Sequence, residues 1–423
     1  MKEDVMGFLN EVQLNYPQAI SLASGRPDEL FFDLERFQEY IDLFVKHIAA
    51  VKKVSYTQVL KALGQYNRTK GIVNDLVIKY LKSDQNIAVL ADDVMVTVGS
   101  QEGIMLSVMT LLNKEEDVLL TEDPSYIGLT HFALLGGYEI APVKTGINGL
   151  CLNSLEENVL AYQKKGKKVK LVYTIPDFQN PTGSRMPIEN RVRFLELAKK
   201  YNFFILEDNA YGDFVFEGNK YPTLKSLDHY KNVIYLHSFA KTIHPSLRIG
   251  VVVADGTIKY QKKVIDLMAK FKGYTTVNTP SLTQAIFGGL LLKNNFSLQE
   301  YNKAKLDNLR SKKTKVLLAL ESYFRNSDDF LMNKITWNFP EGGYFLTLTC
   351  PFEIAKKDVI DCAKNYRVIV TPLSFFYLEE GGKNVIRLAF SYLDESVIDM
   401  AIGRLASFIR EKIKEKEVLK KTF

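Results

Sequence analysis

Ser238-Phe239-Ala240-Lys241, with Arg248 and Gly250 downstream, closes an apolar, β-rich run. A lysine at the end of a buried strand is costly unless its amine is used, because desolvation disfavours the ammonium form. The same desolvation turns the amine into a nucleophile able to condense with a carbonyl. Ser-x-x-Lys alone is a weak signal. An arginine seven residues beyond the lysine strengthens it, since a hydroxyl and a guanidinium together suit a phosphate dianion.

Three further stretches could do chemistry with it. Asp208-Asn209-Ala210-Tyr211 follows the apolar run 203–206. There Asp208 could be the counter-ion of a protonated ring nitrogen, the pairing that makes a cofactor ring an electron sink, or equally a helix N-cap. Tyr211 could hydrogen-bond a phenolic oxygen on the same ring. In Gln179-Asn180-Pro181-Thr182-Gly183 the asparagine precedes proline, which holds it extended with its amide free for a ligand; a plain surface turn is the alternative. Gly99-Ser100-Gln101 stands between a strand and an apolar helix expected from about residue 102. A helix N-terminus offers free N–H groups to an anion, and Ser100 could instead be an ordinary cap.

Placing these groups together demands a particular architecture. Strand-like runs at 94–98, 118–121, 138–143, 169–174, 203–207, 233–237 and 249–254 alternate with amphipathic segments such as 101–112 and 189–201. That rhythm predicts an α/β fold with a large, mostly parallel central sheet flanked by helices. After about residue 297 a long helical stretch, 298–323, leads into shorter units around 343–349, 368–371 and 385–390, which read as a smaller α+β domain. The expected division is an N-terminal segment 1–50 packing with the small domain, a large domain 51–300 and a small C-terminal domain 301–423. In open α/β sheets ligands gather beyond the carboxyl ends of the strands, where all four stretches end.

Composition removes other function classes. Apolar residues are 46% and charged residues 25%, ordinary for a soluble globular protein. No apolar run approaches the ~20 residues of a membrane span, and the mixed-charge start does not read as a secretory signal, so a cytoplasmic location is expected. Cys151, Cys350 and Cys362 are too scattered for a disulfide framework or a metal site. Net charge is +6, and the basic runs 164–168, 259–272 and 412–421 read as solvated surface. No basic groove interleaved with aromatics predicts a nucleic-acid partner.

Taken in order, the motifs resemble the fold-type I, class I/II aminotransferases, nearest the branch of 2-aminoadipate and kynurenine aminotransferases and the enzymatic half of MocR-type regulators. The stretches that carry the resemblance run from Leu22-Ala23-Ser24-Gly25-Arg26-Pro27, through Gln65-Tyr66, Val98–Gln101, Glu122-Asp123-Pro124-Ser125-Tyr126, 178–183, 208–211 and 238–250, to Pro340–Phe345 and Ile386–Ser391. Each is modest; their joint, ordered occurrence is specific.

The resemblance implies pyridoxal 5′-phosphate as cofactor and transamination between an L-amino acid and a 2-oxo acid. Lys241 would be the Schiff-base lysine and proton shuttle, and Asp208 the partner of the ring nitrogen. Asn180 and Tyr211 would contact the phenolic oxygen, and Tyr126 would stack on the ring. Ser100, Gln101, Ser238 and Arg248 would cradle the phosphate, with Tyr66 lent by the neighbouring subunit of a homodimer. Arg387 would grip the substrate α-carboxylate, and a buried salt bridge is its alternative. Gly25 and Arg26 would lie over the substrate. The implied donors are aromatic, arylglycine or 2-aminoadipate-like, with 2-oxoglutarate as acceptor.

Three departures stand out: Ala240 where relatives place a hydroxyl, Thr371-Pro372-Leu373 ahead of Phe375-Phe376, and the segment after Tyr66. None is expected to touch the ring, the lysine or the carboxylate clamp. A lyase, decarboxylase or oxidase would use the same electron sink. A non-catalytic regulator would carry a DNA-binding domain ahead of this fold, and the family pattern already begins by Ser21, so catalysis is the expectation.

Overall fold

Strands form where β-branched and aromatic residues cluster between turn signals. In the computed structural model, which describes residues 5–325 and 332–421, they begin with Ile20–Ser21 (β1). Val94–Val98 (β2), Asp117–Asp123 (β3), Glu139–Gly146 (β4), Gly149–Leu150 (β5), Lys168–Thr174 (β6), Phe204–Asn209 (β7), Val233–Ser238 (β8) and Ile249–Val253 (β9) follow. Among the described residues, β2 to β9 make one sheet in the order β2-β9-β8-β7-β6-β3-β4-β5.

The stretch β8-β7-β6-β3-β4 is parallel throughout. β9 runs antiparallel to both of its neighbours. The central strands are buried on both faces, as parallel sheets require. Even-numbered residues of β7 and β8, such as Leu206 and Leu236, share a core with the helix Gly99–Leu111 and with the smaller sheet. On the opposite face Ile205 packs with the helices Leu152–Lys164 and Ile188–Tyr201. Tyr235 packs on that face with Phe37–Lys52, Asn74–Gln85 and Ser281–Lys293.

A four-stranded antiparallel sheet combines Thr336–Trp337, Phe345–Thr349, Val385–Ala389 and Thr371–Pro372. The helices Gln299–Leu320 and Ile398–Lys421 pack beside it. The N-terminal segment serves both parts. β1 pairs in parallel with Val368–Ile369 of the smaller part, whereas the helix Phe37–Lys52 packs on Ser281–Lys293.

One basic run departs from expectation. Lys272 in 259–272 is fully buried, not solvated, because it forms an ion pair with Glu102 at 2.7 Å. The end of the run 412–421 lies beyond residue 416, where side chains are outside the described residues. No helix of the described residues is long and apolar enough to cross a membrane.

Candidate active site

Two strands end polar after apolar runs, and their carboxyl ends deliver the centre of the site. Asp208 is the penultimate residue of β7 and is buried. It lies inside the strand and caps no helix. Asn209 next to it accepts from the Gly212 N–H. Ser238, also buried, ends β8, and the single helical turn Phe239–Thr242 that follows carries Lys241.

Lys241 is half-buried, and its Nζ donates to the Gly25 carbonyl at 2.7 Å. Burial pulls its pKa down to about 8, and the charges of Arg387, Arg248 and Arg26 push the same way. Asp208 moves oppositely. Burial raises it to about 6, against a hydrogen bond from Tyr173. Its Oδ2 accepts from the Tyr173 hydroxyl at 2.8 Å, while the buried Oδ1 has no partner among the described residues. Tyr126, half-buried ahead of the helix Ile127–Leu135, is raised to about 12 by burial and then by the charge of Asp208.

The residues expected to cradle an anion gather at the start of the helix Gly99–Leu111. The helix begins at Gly99, three residues earlier than expected, so Ser100 sits in its first turn rather than capping it. Glu102 takes the capping role, since its Oε2 accepts from the Val98 N–H at 2.7 Å and from Lys272. Gly99 has φ +75°, and a Cβ there would stand 2.2 Å from Nη2 of Arg248. The arginine therefore lies directly against bare backbone. Gln101 donates to the Gly128 carbonyl at 3.0 Å, and its Oε1 is unpartnered.

Arg387, central in its strand and buried, donates from Nη1 to Asn180 Oδ1 at 2.9 Å and from Nη2 to the Ala23 carbonyl at 2.6 Å. The Phe345 and Phe376 rings lie 4.5 and 4.7 Å from the guanidinium. Among the described residues no carboxylate pairs with it, and Nε is unpartnered. A buried guanidinium without an acid is unfavourable, so the site has the character of a carboxylate receptor and not of a structural ion pair. Asn180 also hydrogen-bonds Tyr211. The 179–183 turn is buried rather than superficial: Gln179 is wholly enclosed and donates to Glu122 and to the Pro124 carbonyl.

Two expected members stand apart in the single chain. Tyr66 is 83% exposed, and Arg26 has an exposed side chain whose charge still reaches Lys241. Gly25 is in place, because a Cβ there would meet the Phe345 ring at 2.6 Å. One expectation is corrected. Thr371, counted among the departures remote from the carboxylate clamp, pairs directly with Arg387 in the antiparallel ladder. Sequence reasoning also passed over Tyr173, and it gave Glu122 no role beyond its place in the resemblance. Both are buried polar residues at strand ends, and that position was the available signal.

The fold agrees with comparisons to known proteins. The family model "Aminotransferase class I and II" matches residues 39–405. The chain is 39% identical over 409 residues to the (S)-3,5-dihydroxyphenylglycine transaminase of Amycolatopsis orientalis, covering 97% of this chain and 92% of that one. It is 31% identical to aromatic-amino-acid aminotransferase 1 of Thermococcus litoralis, with 94% and 89% covered. Its structure matches the Pyrococcus horikoshii kynurenine aminotransferase, solved in complex with PMP, at TM-score 0.83 and 29% identity over 97% and 95% of the two chains. A likeness that runs nearly end to end, over a site with a low-pKa lysine and an unpaired guanidinium, makes this chain a member of the class I and II aminotransferases, with pyridoxal 5′-phosphate as its cofactor.

Proposed function

We propose that the chain transfers an amino group from an aromatic or arylglycine L-amino acid to a 2-oxo acid, with 2-oxoglutarate as acceptor, and that the residues named above divide the work. The observation that carries this reading is the buried, unpartnered Oδ1 of Asp208, at the same sheet edge as the lowered-pKa amine of Lys241. An orphaned carboxylate oxygen is costly unless a ligand donor meets it. The residues fit the cofactor: Asp208 would accept from its ring nitrogen, and Ser100, Gln101, Ser238 and Arg248 would hold its phosphate over the bare Gly99 backbone.

When bound, pyridoxal phosphate supplies the electron sink that loosens the amino acid's Cα–H bond and receives its amino group. Lys241 would hold the cofactor, and once the substrate amine has replaced it there, its freed Nζ, neutral in part near pH 8, would take the Cα proton. Arg387 holds the substrate carboxylate in its planar fork and so orients the Cα–H bond. Asn180 and Tyr211 hold the phenolic oxygen, and Tyr126 covers the ring.

The aromatic walls Phe345 and Phe376 around Arg387 support aromatic donors, as does the 39% identity to a dihydroxyphenylglycine transaminase. Gly25 and Arg26 would lie over the donor side chain. The exposure of Tyr66 supports a homodimer in which it reaches the partner's phosphate. We further propose a cytoplasmic enzyme with domains 51–300 and 301–423, and a segment 1–50 shared between them.

The test is a donor panel with 2-oxoglutarate, followed by product amino acid and 2-oxo acid in equal yield. Stoichiometric ammonia or carbon dioxide without an acceptor would reject transamination as the native reaction. A visible cofactor band, abolished by Lys241→Ala, checks the anchoring residue.

A further inference from the structure

The two carboxylate oxygens of Asp208 are not equivalent. Oδ2 accepts from the Tyr173 hydroxyl at 2.8 Å, and Oδ1 accepts from nothing among the described residues. Tyr173 is fully buried on β6, in register with Leu206 of β7. Side chains alternate along a strand, so residues 206 and 208 share a face, and phenol and carboxylate meet there. The pair spans adjacent strands near their carboxyl ends.

We infer that Tyr173 is a positioning residue for the reaction: by donating to Oδ2 it aims Oδ1 at the cofactor ring nitrogen and keeps the shared proton on that nitrogen. This rests on the cofactor site proposed above. A hydrogen bond to a carboxylate lowers its basicity. A less basic Asp208 leaves the proton on the ring, where the positive charge is what withdraws electrons.

The surroundings give the phenol this role by elimination. Burial raises Asp208, and Tyr173 is the group that opposes the rise. Glu122 on β3 is coupled to Asp208 and is itself raised to about 7, first by burial. Tyr126 and Tyr211 face Asp208 too, and burial holds both protonated, without charge, at neutral pH. Burial and Asp208 also keep the Tyr173 phenol well above its ordinary range, so it remains a donor at every working pH.

The experiment compares wild type, Tyr173→Phe, Asp208→Asn and the double variant, each reconstituted with pyridoxal 5′-phosphate carrying nitrogen-15 in the ring. In Tyr173→Phe the ring-nitrogen resonance moves toward the neutral-pyridine range. With it kcat falls roughly tenfold while KM for the amino donor stays within about twofold. In the Asp208→Asn background the same change moves the resonance no further, because Tyr173 acts through Asp208. Replacing Tyr173 alone by 3-fluorotyrosine, a stronger donor of nearly the same shape, moves the resonance the opposite way and keeps the inference testable if the phenylalanine variant does not fold. A wild-type resonance in both Tyr173 variants, with Asp208→Asn impaired, overturns the inference and leaves the site standing. Asp208→Asn with wild-type resonance and cofactor affinity overturns the site reading itself.

Discussion

The guanidinium of Arg387 and the amide oxygen of Asn180, 207 positions apart in sequence, are joined by a 2.9 Å hydrogen bond. The residue proposed to grip the substrate and the residue proposed to hold the ring oxygen are therefore one mechanical unit. Arg387→Lys keeps the charge but loses the planar fork. We expect kcat/KM for amino acid donors to fall by about a hundredfold or more, close to 3 kcal/mol. Steady-state kinetics with an amino acid and with the corresponding amine lacking its carboxylate checks this. The amine loses far less.

Gly99→Ala tests the cradle. The new Cβ would stand 2.2 Å from Arg248 Nη2, and the exposed arginine gives way by swinging off the phosphate position. Alanine at φ +75° costs about 1 kcal/mol of stability. Cofactor affinity is expected to drop by about ten- to a hundredfold, measured by equilibrium dialysis against pyridoxal 5′-phosphate.

Lys241 should destabilise the cofactor-free protein. Its pKa is about 8 in the fold against 10.5 for the ordinary side chain. Between those values the unfolded chain binds the extra proton, so stability rises with pH across the window, and below it the fold carries a disfavoured cation. Lys241→Met removes that slope and adds about 1–2 kcal/mol near pH 7, after discounting for a half-exposed group. Urea denaturation of both cofactor-free proteins at pH 7 and pH 10 reads the difference.

Tyr66 gives a test of the shared site. Lys241→Ala and Tyr66→Ala are each expected to be weak alone. Mixed under conditions that exchange subunits, they form heterodimers with one intact site, holding the native Lys241 of one chain and the native Tyr66 of the other. Activity should rise above the sum of the two parents. No recovery in a sedimenting dimer would remove Tyr66 from the site.

Much of this was legible because polar residues that end apolar runs mark strand ends, as with Asp208 and Ser238. Arg387 stood out as a cation within an apolar strand. The rest was hidden for physical reasons. Strand direction leaves no mark on composition, so the antiparallel β9 could not be told from its parallel neighbours. Tyr173 reads as core because a tyrosine body is apolar and only its tip is polar. Lys272 reads as surface until its partner, Glu102, 170 residues away, is brought to it. The contact of Thr371 with Arg387 is a matter of ladder register, which no local pattern fixes.

The loop bearing Gly25 and Arg26 is pinned beyond its tip at two points: Asp28 to Lys312 at 2.5 Å, and Asp33 to His244 at 3.0 Å. One anchor belongs to the long helix Gln299–Leu320, the other to the segment just after Lys241. The loop is thus fixed both to the long helix and to the segment that follows the lysine, and the spacing between residues 28 and 33 sets where Gly25 and Arg26 lie. Adding or deleting a residue between 28 and 33 would retune which side chains fit, with every catalytic group left unchanged.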